Sequence, residues 1–260
     1  MEGQHKPTFA IVALPKLPES PEADDRAIAL AHKFRELRLQ SLRLAPEAFA
    51  SSYEVESQRG IDQTLQRLSN PKAVIFLAVS SGSAVSGHDA SEVSHQQLVD
   101  ADWVGFAGLL GPETEQSSSS VTGRGDPWAR ATAVAGTATP AGPTSTSPEV
   151  LASPVNTLHY HIGGVYVSPS ARGSGLGHAM IAAALARADA EAQRANTSMS
   201  CSVLVKPENV AARGLYEKAG FAVVGEETYV QQARALVAGE SQPEEMVALR
   251  MELDRGVTQT

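Results

Sequence analysis

Three glycines within five residues, Gly173, Gly175 and Gly177, form the stretch whose residue types are best suited to chemistry. A short β-rich run and a turn precede them, and a long alanine-rich run with apolar residues at helical spacing follows. A strand, a glycine loop and a helix in this order present free backbone N–H groups and the positive end of the helix dipole at one point. Because glycine lacks a Cβ, a phosphate can approach the backbone closely. We therefore interpret the loop as a pyrophosphate site; the alternative is a tight turn with glycines for packing only.

The spacing excludes two common phosphate-binding loops. A P-loop requires a lysine directly after its glycines, and none stands there. A dinucleotide fingerprint requires G-x-G-x-x-G and an acidic residue at the end of the next strand, whereas here the pattern is G-x-G-x-G. The nearest acidic residues, Asp189 and Glu191, lie within the predicted helix itself.

The pattern that does fit is R-x-x-G-x-G, met by Arg172, Gly175 and Gly177, after a V-x-V-x-P run from Val165 to Pro169. These residues resemble the coenzyme A site of the GCN5-related N-acetyltransferase (GNAT) superfamily. The resemblance implies acetyl-CoA as co-substrate, with backbone N–H groups on the pyrophosphate and the strand alongside the pantetheine arm. The cofactor-binding residues that it implies here are Val165, Tyr166, Val167, Arg172, Gly173, Ser174, Gly175, Leu176, Gly177 and His178.

A second motif, N-x-x-A-x-x-L-Y-x-x-x-G-F, is complete from Asn209 to Phe221. It resembles the GNAT segment in which a helix ends beside the thioester, and Gly220 is a typical helix stop. The resemblance implies that Asn209 bonds the pantetheine arm, that Tyr216 is the general acid, and that transfer is direct in a ternary complex. A phenol, with a reference pKa near 10, can protonate a leaving thiolate at neutral pH. The alternative is that Tyr216 only packs on the pantetheine arm.

Two histidines of the strand before the glycine loop are candidates for work on the acceptor. Many family members carry a glutamate at the position that aligns with His161, so this sequence departs from the pattern. A histidine, with a pKa near 6.5, is a reasonable base for an ammonium, directly or through water. His159 shares its strand face and is the second candidate, placed with the substrate. The alternative is that His161 is a partly exposed strand residue without a catalytic part.

The string PEAFASSYE, Pro46 to Glu54, resembles the loop that lines the acceptor pocket in many GNAT enzymes. On this resemblance Glu54 and Glu56 hold a substrate ammonium, and Phe49 and Tyr53 form an apolar wall. The alternative is that the carboxylates are solvated and Phe49 belongs to the core.

Three functions are open at this stage. The leading one is acetylation of the primary amine of a small molecule; the second is acetylation of protein N-termini or lysines. The third is a non-catalytic module that binds acyl-CoA, against which Tyr216 and Asn209 argue.

The resemblance implies an α/β (α+β) GNAT fold with a mixed, mostly antiparallel sheet of six or seven strands. About four helices flank the sheet, and its central strands splay in a V. We expect residues 1–260 to form a single domain. Residues 111–157 are rich in Ser, Pro and Gly and lack apolar periodicity, so they read as a flexible insertion between two strands.

The bulk composition limits the partners and the compartment. An apolar fraction of 42% allows a sizeable core, and a net charge of −8 argues against general nucleic-acid binding. One cysteine, Cys201, permits no intrachain disulfide. The sequence shows no signal peptide, membrane span or metal-ligand cluster. We expect a soluble cytoplasmic protein, monomer or homodimer, with no metal and no membrane partner.

Overall fold

The computed structural model describes residues 8–18, 20, 24–80, 93–113, 157–231 and 244–256. Within them, seven strands form a single sheet. The strands are β1 (Phe9–Ala13), β2 (Ala73–Ser80), β3 (Trp103–Glu113), β4 (Thr157–Val167), β5 (Ser198–Val205), β6 (Ala222–Gln231) and β7 (Glu244–Arg255). Six α-helices accompany them: α1 (Asp25–Leu44), α2 (Tyr53–Gln58), α3 (Ile61–Ser69), α4 (His95–Asp100), α5 (Leu176–Arg194) and α6 (Val210–Lys218).

The strand order across the sheet is β1-β2-β3-β4-β5-β7-β6. Strands β4 and β5 run parallel, and every other described pair is antiparallel. The parallel pair follows from the chain's passage through α5, because a parallel connection requires a crossover. The mixed, mostly antiparallel sheet predicted from the resemblance is confirmed.

The parallel pair separates half-way along β4. Its pairing runs from Thr157 opposite Ser198 to His161 opposite Ser202, and there it stops. Strand β4 continues to Val167 and β5 to Val205, so the two strands diverge beyond this point. This is the predicted V-shaped splay.

A β-bulge lies next to the splay. Between two pairs of the β3–β4 ladder, Phe106 with Tyr166 and Gly108 with Gly163, β4 contains one residue more than β3. Gly164 lies within this bulge with a φ of +66°, a conformation that glycine adopts without steric cost. The bulge turns the backbone of β4 where it leaves its parallel partner.

Helices cover both faces of the sheet. On one face α1, α3 and α4 pack against Ile75 and Leu77 of β2, and on the other α5 packs against the cluster that contains Phe76. Strand β2 is therefore buried on both sides, which explains its continuous apolar sequence. None of the described helices combines the length and the hydropathy that a membrane span needs.

Two short helices occur where the sequence predicts loops. Helix α4 begins at a capping box between Ser94 and Gln97, within the polar stretch 80–99 that the sequence alone predicts to be a long hairpin loop. Helix α2 begins at Ser52, whose hydroxyl accepts a hydrogen bond from the Val55 N–H group. The predicted insertion lies outside the described residues, apart from 111–113 at the end of β3 and Thr157 at the start of β4.

Candidate active site

A cavity of about 150 Å³ opens in the splay between β4 and β5. The backbone from Gly163 to Val165 lines one side of it, and the end of β5 lines the other. Helix α6 contributes Tyr216 and its capping residue Asn209. The divergence of β4 and β5 therefore creates the cavity, and the motif from Asn209 to Phe221 supplies polar groups to its wall.

The Tyr216 hydroxyl belongs to a side chain that is only 6% exposed. Its ring packs edge-on against Phe221, with the centroids 5.9 Å apart. Burial, and to a lesser degree the neighbouring Cys201, raises the pKa of Tyr216 to about 12. The phenol is therefore protonated throughout the neutral pH range and can donate a proton.

The His161 ring is oriented by the neighbouring strand. Its Nδ1 lies 3.1 Å from Oγ of Ser202, and the Ser202 hydroxyl donates to the Tyr160 carbonyl at 3.3 Å. With the Ser202 hydroxyl donating to Tyr160, its oxygen can accept a hydrogen bond from His161 in the tautomer that carries the proton on Nδ1. In that tautomer the lone pair of the neutral ring is on Nε2.

Asn209 is the N-cap of α6. Its Oδ1 accepts a hydrogen bond from the Ala212 N–H group at 3.1 Å. The capping bond uses the carbonyl oxygen, so the Nδ2 group keeps its capacity to donate. One side chain thus fixes the start of the helix and presents a donor at the wall of the cavity.

The glycine loop has the geometry expected of an anion site. Gly173 and Gly175 have φ values of +77° and +82°, and a Cβ added at either would meet no atom within 4 Å. Gly175 caps α5 without any side-chain hydrogen bond, and the first intrahelical bond recorded at this end is from Ala179 to the Gly175 carbonyl. The first N–H groups of this 19-residue helix have no partner within the helix, so they can bond an anion.

The residues around the loop divide between surface and core. Arg172 is exposed, and its Nε donates to the Val167 carbonyl at 3.2 Å, which ties it to the end of β4. Gly177 packs close to α6, because an added Cβ would lie 3.0 Å from Leu215. Leu176 and Tyr166 point into the core, whereas Ser174 and His178 are exposed. Leu176 and Tyr166 can therefore bind a ligand only through their backbone groups.

Two arginines, Arg38 and Arg67, also line the cavity, together with the ring of Phe49. Arg38 stacks over the Phe49 ring, 4.6 Å from its centroid. Arg67 forms an ion pair with Glu56 at 3.0 Å, and Arg59 bonds the other oxygen of this carboxylate at 2.9 Å. Burial opposes the charged form, but Arg67, Arg38 and Arg59 outweigh it and lower the pKa of Glu56. An ammonium at Glu56 would compete with these guanidinium groups.

Of the five predicted acceptor contacts, which include Glu56, only Phe49 is among the residues that line the cavity. Tyr53 packs under Arg43 instead, with the guanidinium 4.6 Å from the ring centroid. Glu54 belongs to α2, outside the cavity wall. His159 lies two residues before His161, opposite Glu113 of β3, and its buried Nε2 has no hydrogen-bond partner. Contacts of Tyr53, Glu54 and His159 with an acceptor stay predictions.

The buried thiol of Cys201 is not suited to nucleophilic catalysis. It is fully buried in the core that joins α5 and β5. Burial raises its pKa to about 12, although a backbone hydrogen bond from Ile162 opposes the shift. The group is a neutral thiol at physiological pH, as a small core residue would be.

The described residues fit acetyl-CoA on two observations. A Cβ added at Gly173 or Gly175 would meet open space, and the part of β4 that has separated from β5 borders the cavity. A diphosphate suits the first and an extended amide-containing arm suits the second.

Comparison with known proteins agrees with this assignment. Residues 132–221 match the model of the acetyltransferase (GNAT) family, a range that includes both motifs. A search of curated proteins found no match.

Among solved structures, a GNAT superfamily phosphinothricin acetyltransferase from Sinorhizobium meliloti in complex with AcCoA has a TM-score of 0.50 and 12% identity, covering 96% of this chain and 89% of its own. A candidate acetyltransferase from Acinetobacter baylyi ADP1 has a TM-score of 0.50 and 13% identity, covering 96% and 94%. Arabidopsis thaliana NAA60 with a bisubstrate analogue has a TM-score of 0.49 and 13% identity, covering 95% and 100%.

The sheet, the splay and the loop define an acyltransferase fold, and the first two of these structures share it. The family match over residues 132–221 confirms the resemblance seen in the two motifs and supports an acyltransferase that depends on acetyl-CoA.

Sequence reasoning missed several residues at the cavity, namely Arg38, Arg67, Ser202 and Lys206. Ser202 meets His161 only because β4 and β5 pair in one particular parallel register. Arg38 and Arg67 reach the cavity from α1 and α3, where a charged residue at helical spacing is typical of a solvated face. No local pattern distinguishes them.

Proposed function

We propose that this protein transfers the acetyl group of acetyl-CoA to the primary amine of a small molecule, by direct attack in a ternary complex. The observation that carries the proposal is that His161, Asn209, Tyr216 and the stretch of β4 that has separated from β5 line the same cavity. A proton donor, a base and the backbone of β4 thus border the same cavity.

The reaction makes a C–N bond and breaks a C–S bond. The amine must lose its proton to attack, and the leaving sulfur must gain one. Tyr216 is the proposed donor to the sulfur, because its raised pKa keeps the phenol protonated. The neutral and buried thiol of Cys201 supports direct transfer, since no activated nucleophile borders the cavity among the described residues.

His161 is the proposed base, directly or through one water molecule. In the tautomer with the proton on Nδ1, which can donate to the Ser202 oxygen at 3.1 Å, Nε2 of His161 accepts the proton of the ammonium. Ser202 is in this scheme a positioning residue, which orients the ring without touching the substrate.

The remaining roles belong to binding. Backbone N–H groups of the loop from Gly173 to His178 hold the pyrophosphate, and Arg172 adds positive charge. The N–H groups of Val165 and Tyr166 polarise the thioester carbonyl. Backbone groups of Val165 and Val167 pair with the pantetheine amides as an added strand would, and Asn209 donates to the same arm.

The test is thiol release from acetyl-CoA with polyamines, amino acids, arylamines and peptides as acceptors. We expect a small amine to raise release well above the background without acceptor. Release with peptides alone would favour a protein acetyltransferase, and CoA binding without release for any acceptor would favour a non-catalytic module. In the same assay His161→Gln should lower release most at low pH and least where the acceptor is already deprotonated.

A further inference from the structure

The cavity between β4 and β5 reaches both faces of the sheet. Of its lining residues, Ile162 and Tyr216 belong to the apolar cluster that packs around α5. Phe34 and Phe106 belong to the cluster on the opposite face, which α1 and α3 cover. Because the glycine loop leads into α5, a thioester held by that loop comes to the splay from the α5 face. The α1 face is therefore the side that is left for the acceptor.

The strand register places His161 on this α1 face. Ile75, which packs on that face, pairs with Gly108, and Gly108 pairs in turn with Gly163. Residues directly opposite each other on antiparallel strands share a face, and so do residues two apart on one strand. His161 therefore lies on the same face as Gly163, next to it along β4. The proposed base thus stands on the acceptor side, and Tyr216 belongs to the other face.

The wall of the cavity on the α1 face is mainly apolar. It includes the rings of Phe34, Phe49 and Phe106 and the side chain of Ile75, each at most 6% exposed. The rings of Phe34 and Phe106 pack edge to face, with their centroids 5.4 Å apart. The two paired glycines of β3 and β4 line the cavity without adding a side chain. This wall is suited to an apolar group, because burial removes such a group from water without the loss of a hydrogen bond.

The arginines of the same wall are engaged with other side chains. Arg67 bonds Glu56 at 3.0 Å, and the Arg38 guanidinium stacks on the Phe49 ring, 4.6 Å from its centroid. A carboxylate on the acceptor would have to compete with Glu56 for Arg67. A second ammonium on the acceptor would have to compete with Arg67 for Glu56. Burial of a charged acceptor group is therefore costly here.

We propose that the acceptor is a primary amine that carries one compact apolar group, either an alkyl chain or a single ring. The inference rests on the proposed function and narrows its substrate class. The apolar group packs against the phenylalanine and isoleucine side chains of the α1 face, with the amine beside His161. An apolar cavity of about 150 Å³ can hold a molecule of the size of benzene, which sets the upper limit for the buried group.

The test compares acceptors that differ at the end far from the amine, with acetyl-CoA saturating. Pentylamine ends in a methyl group, putrescine in an ammonium and γ-aminobutyrate in a carboxylate. We expect kcat/KM for pentylamine to exceed that for each charged acceptor by about tenfold or more. From propylamine to butylamine to pentylamine, kcat/KM should rise about threefold with each CH₂ group. Equal or better use of a charged acceptor, or no rise with chain length, would overturn the inference while leaving the proposed function standing.

Two matched variants separate the cavity wall from general packing. Ile75→Val and Ile181→Val each remove one CH₂ group from a buried isoleucine, and of the two positions Ile75 is the one that lines the cavity. The enlarged cavity should raise the ratio of kcat/KM for hexylamine to that for pentylamine about threefold in Ile75→Val. The ratio should stay unchanged in Ile181→Val. Equal changes in both variants would assign the effect to packing of the fold and would overturn the inference.

Calorimetry decides the inference if no acceptor is acetylated and the proposed function fails. Pentylamine titrated into the CoA-loaded protein should bind about tenfold more tightly than putrescine. Ile75→Val should weaken the binding of pentylamine about threefold, and Ile181→Val should leave it unchanged. No binding of pentylamine, or equal binding of the two amines, would overturn the inference.

Discussion

At the scale of single residues, burial and hydrogen bonding set the protonation states that the chemistry needs. The Tyr216 phenol is buried at the cavity wall, and its pKa is raised to about 12. Nδ1 of His161 lies 3.1 Å from the Ser202 hydroxyl, which orients the ring. A group that keeps its proton and a group that can accept one thus border the same space, as general acid–base catalysis requires.

Removal of the Tyr216 hydroxyl tests the acid role. Tyr216→Phe keeps the ring, which packs against Phe221, and should lower kcat by roughly 100-fold because the leaving thiolate loses its donor. The affinity for CoA, measured by calorimetry, should change by less than about threefold. Unchanged turnover with weaker CoA binding would show instead that Tyr216 only packs on the cofactor.

At the scale of elements, the site depends on how strand and helix ends are placed. The glycine loop delivers the start of α5 beside the end of β4, and α6 begins at Asn209 next to the end of β5. Two helix N-termini therefore flank the splay. Glu56 of α2, which bonds Arg67 of α3 and lies near Arg38 of α1, links these three helices.

A pair of Gly→Ala variants separates the loop from general helix effects. Gly175→Ala places a side chain at a φ of +82°, which costs about 1–2 kcal/mol in stability and distorts the start of α5, so CoA binding should weaken about tenfold. Gly214→Ala, in α6, also meets no atom within 4 Å but has no positive φ. It should raise stability by up to about 1 kcal/mol and leave CoA affinity unchanged. Melting curves measure the stability of each variant, and calorimetry measures its affinity for CoA. Similar CoA affinities for the two variants would argue against the loop as the binding element.

The ion pairs of the Glu56 carboxylate with Arg59 and Arg67 make the stability of the fold depend on pH. A carboxyl group with a lowered pKa adds stability above its unfolded pKa of about 4.3 and loses it as the pH falls through the folded pKa. Glu56→Gln should therefore cost about 3 kcal/mol at pH 7, since it leaves guanidinium groups without their anion. The difference in the free energy of unfolding between Glu56→Gln and the native protein should shrink below about pH 4. Urea denaturation at pH 7 and below pH 4 measures this difference. A difference that does not change with pH would contradict the lowered pKa of Glu56.

The sequence predicts the elements better than the site. The run AVIFLAV identifies β2 because both faces are buried, and the two motifs place α5, α6 and Tyr216 through their resemblance. Helix α4 was missed because its signal is a capping box within a polar stretch. Arg38, Arg67 and Ser202 could not be found, since their place at the site depends on helix packing and strand register far along the chain.

At the scale of the whole molecule, one sheet carries both halves of the site. Helices α1 and α3, which carry Arg38 and Arg67, pack with strands β1 to β3. Helices α5 and α6, which carry the end of the glycine loop and Tyr216, pack with β5. The splay between β4 and β5 is where the halves meet. Binding of acetyl-CoA across this junction is therefore expected to stabilise the entire fold.

The predicted insertion tests the single-domain organisation that we propose. Glu113 at the end of β3 pairs with His159, two residues into β4, so the two strand ends lie side by side. Replacing residues 114–156 by a short Gly/Ser linker shortens the connection about eightfold and should keep or raise stability by up to about 2 kcal/mol. Acetyl transfer should persist. Loss of the cooperative unfolding transition would show that the segment is part of the core.

The most direct test is the structure of the protein crystallised with acetyl-CoA. The account predicts diphosphate oxygens at about 3 Å from backbone nitrogens of the loop from Gly173 to His178, and the sulfur beside the Tyr216 hydroxyl. A diphosphate bound elsewhere, or a pantetheine arm outside the splay of β4 and β5, would contradict it.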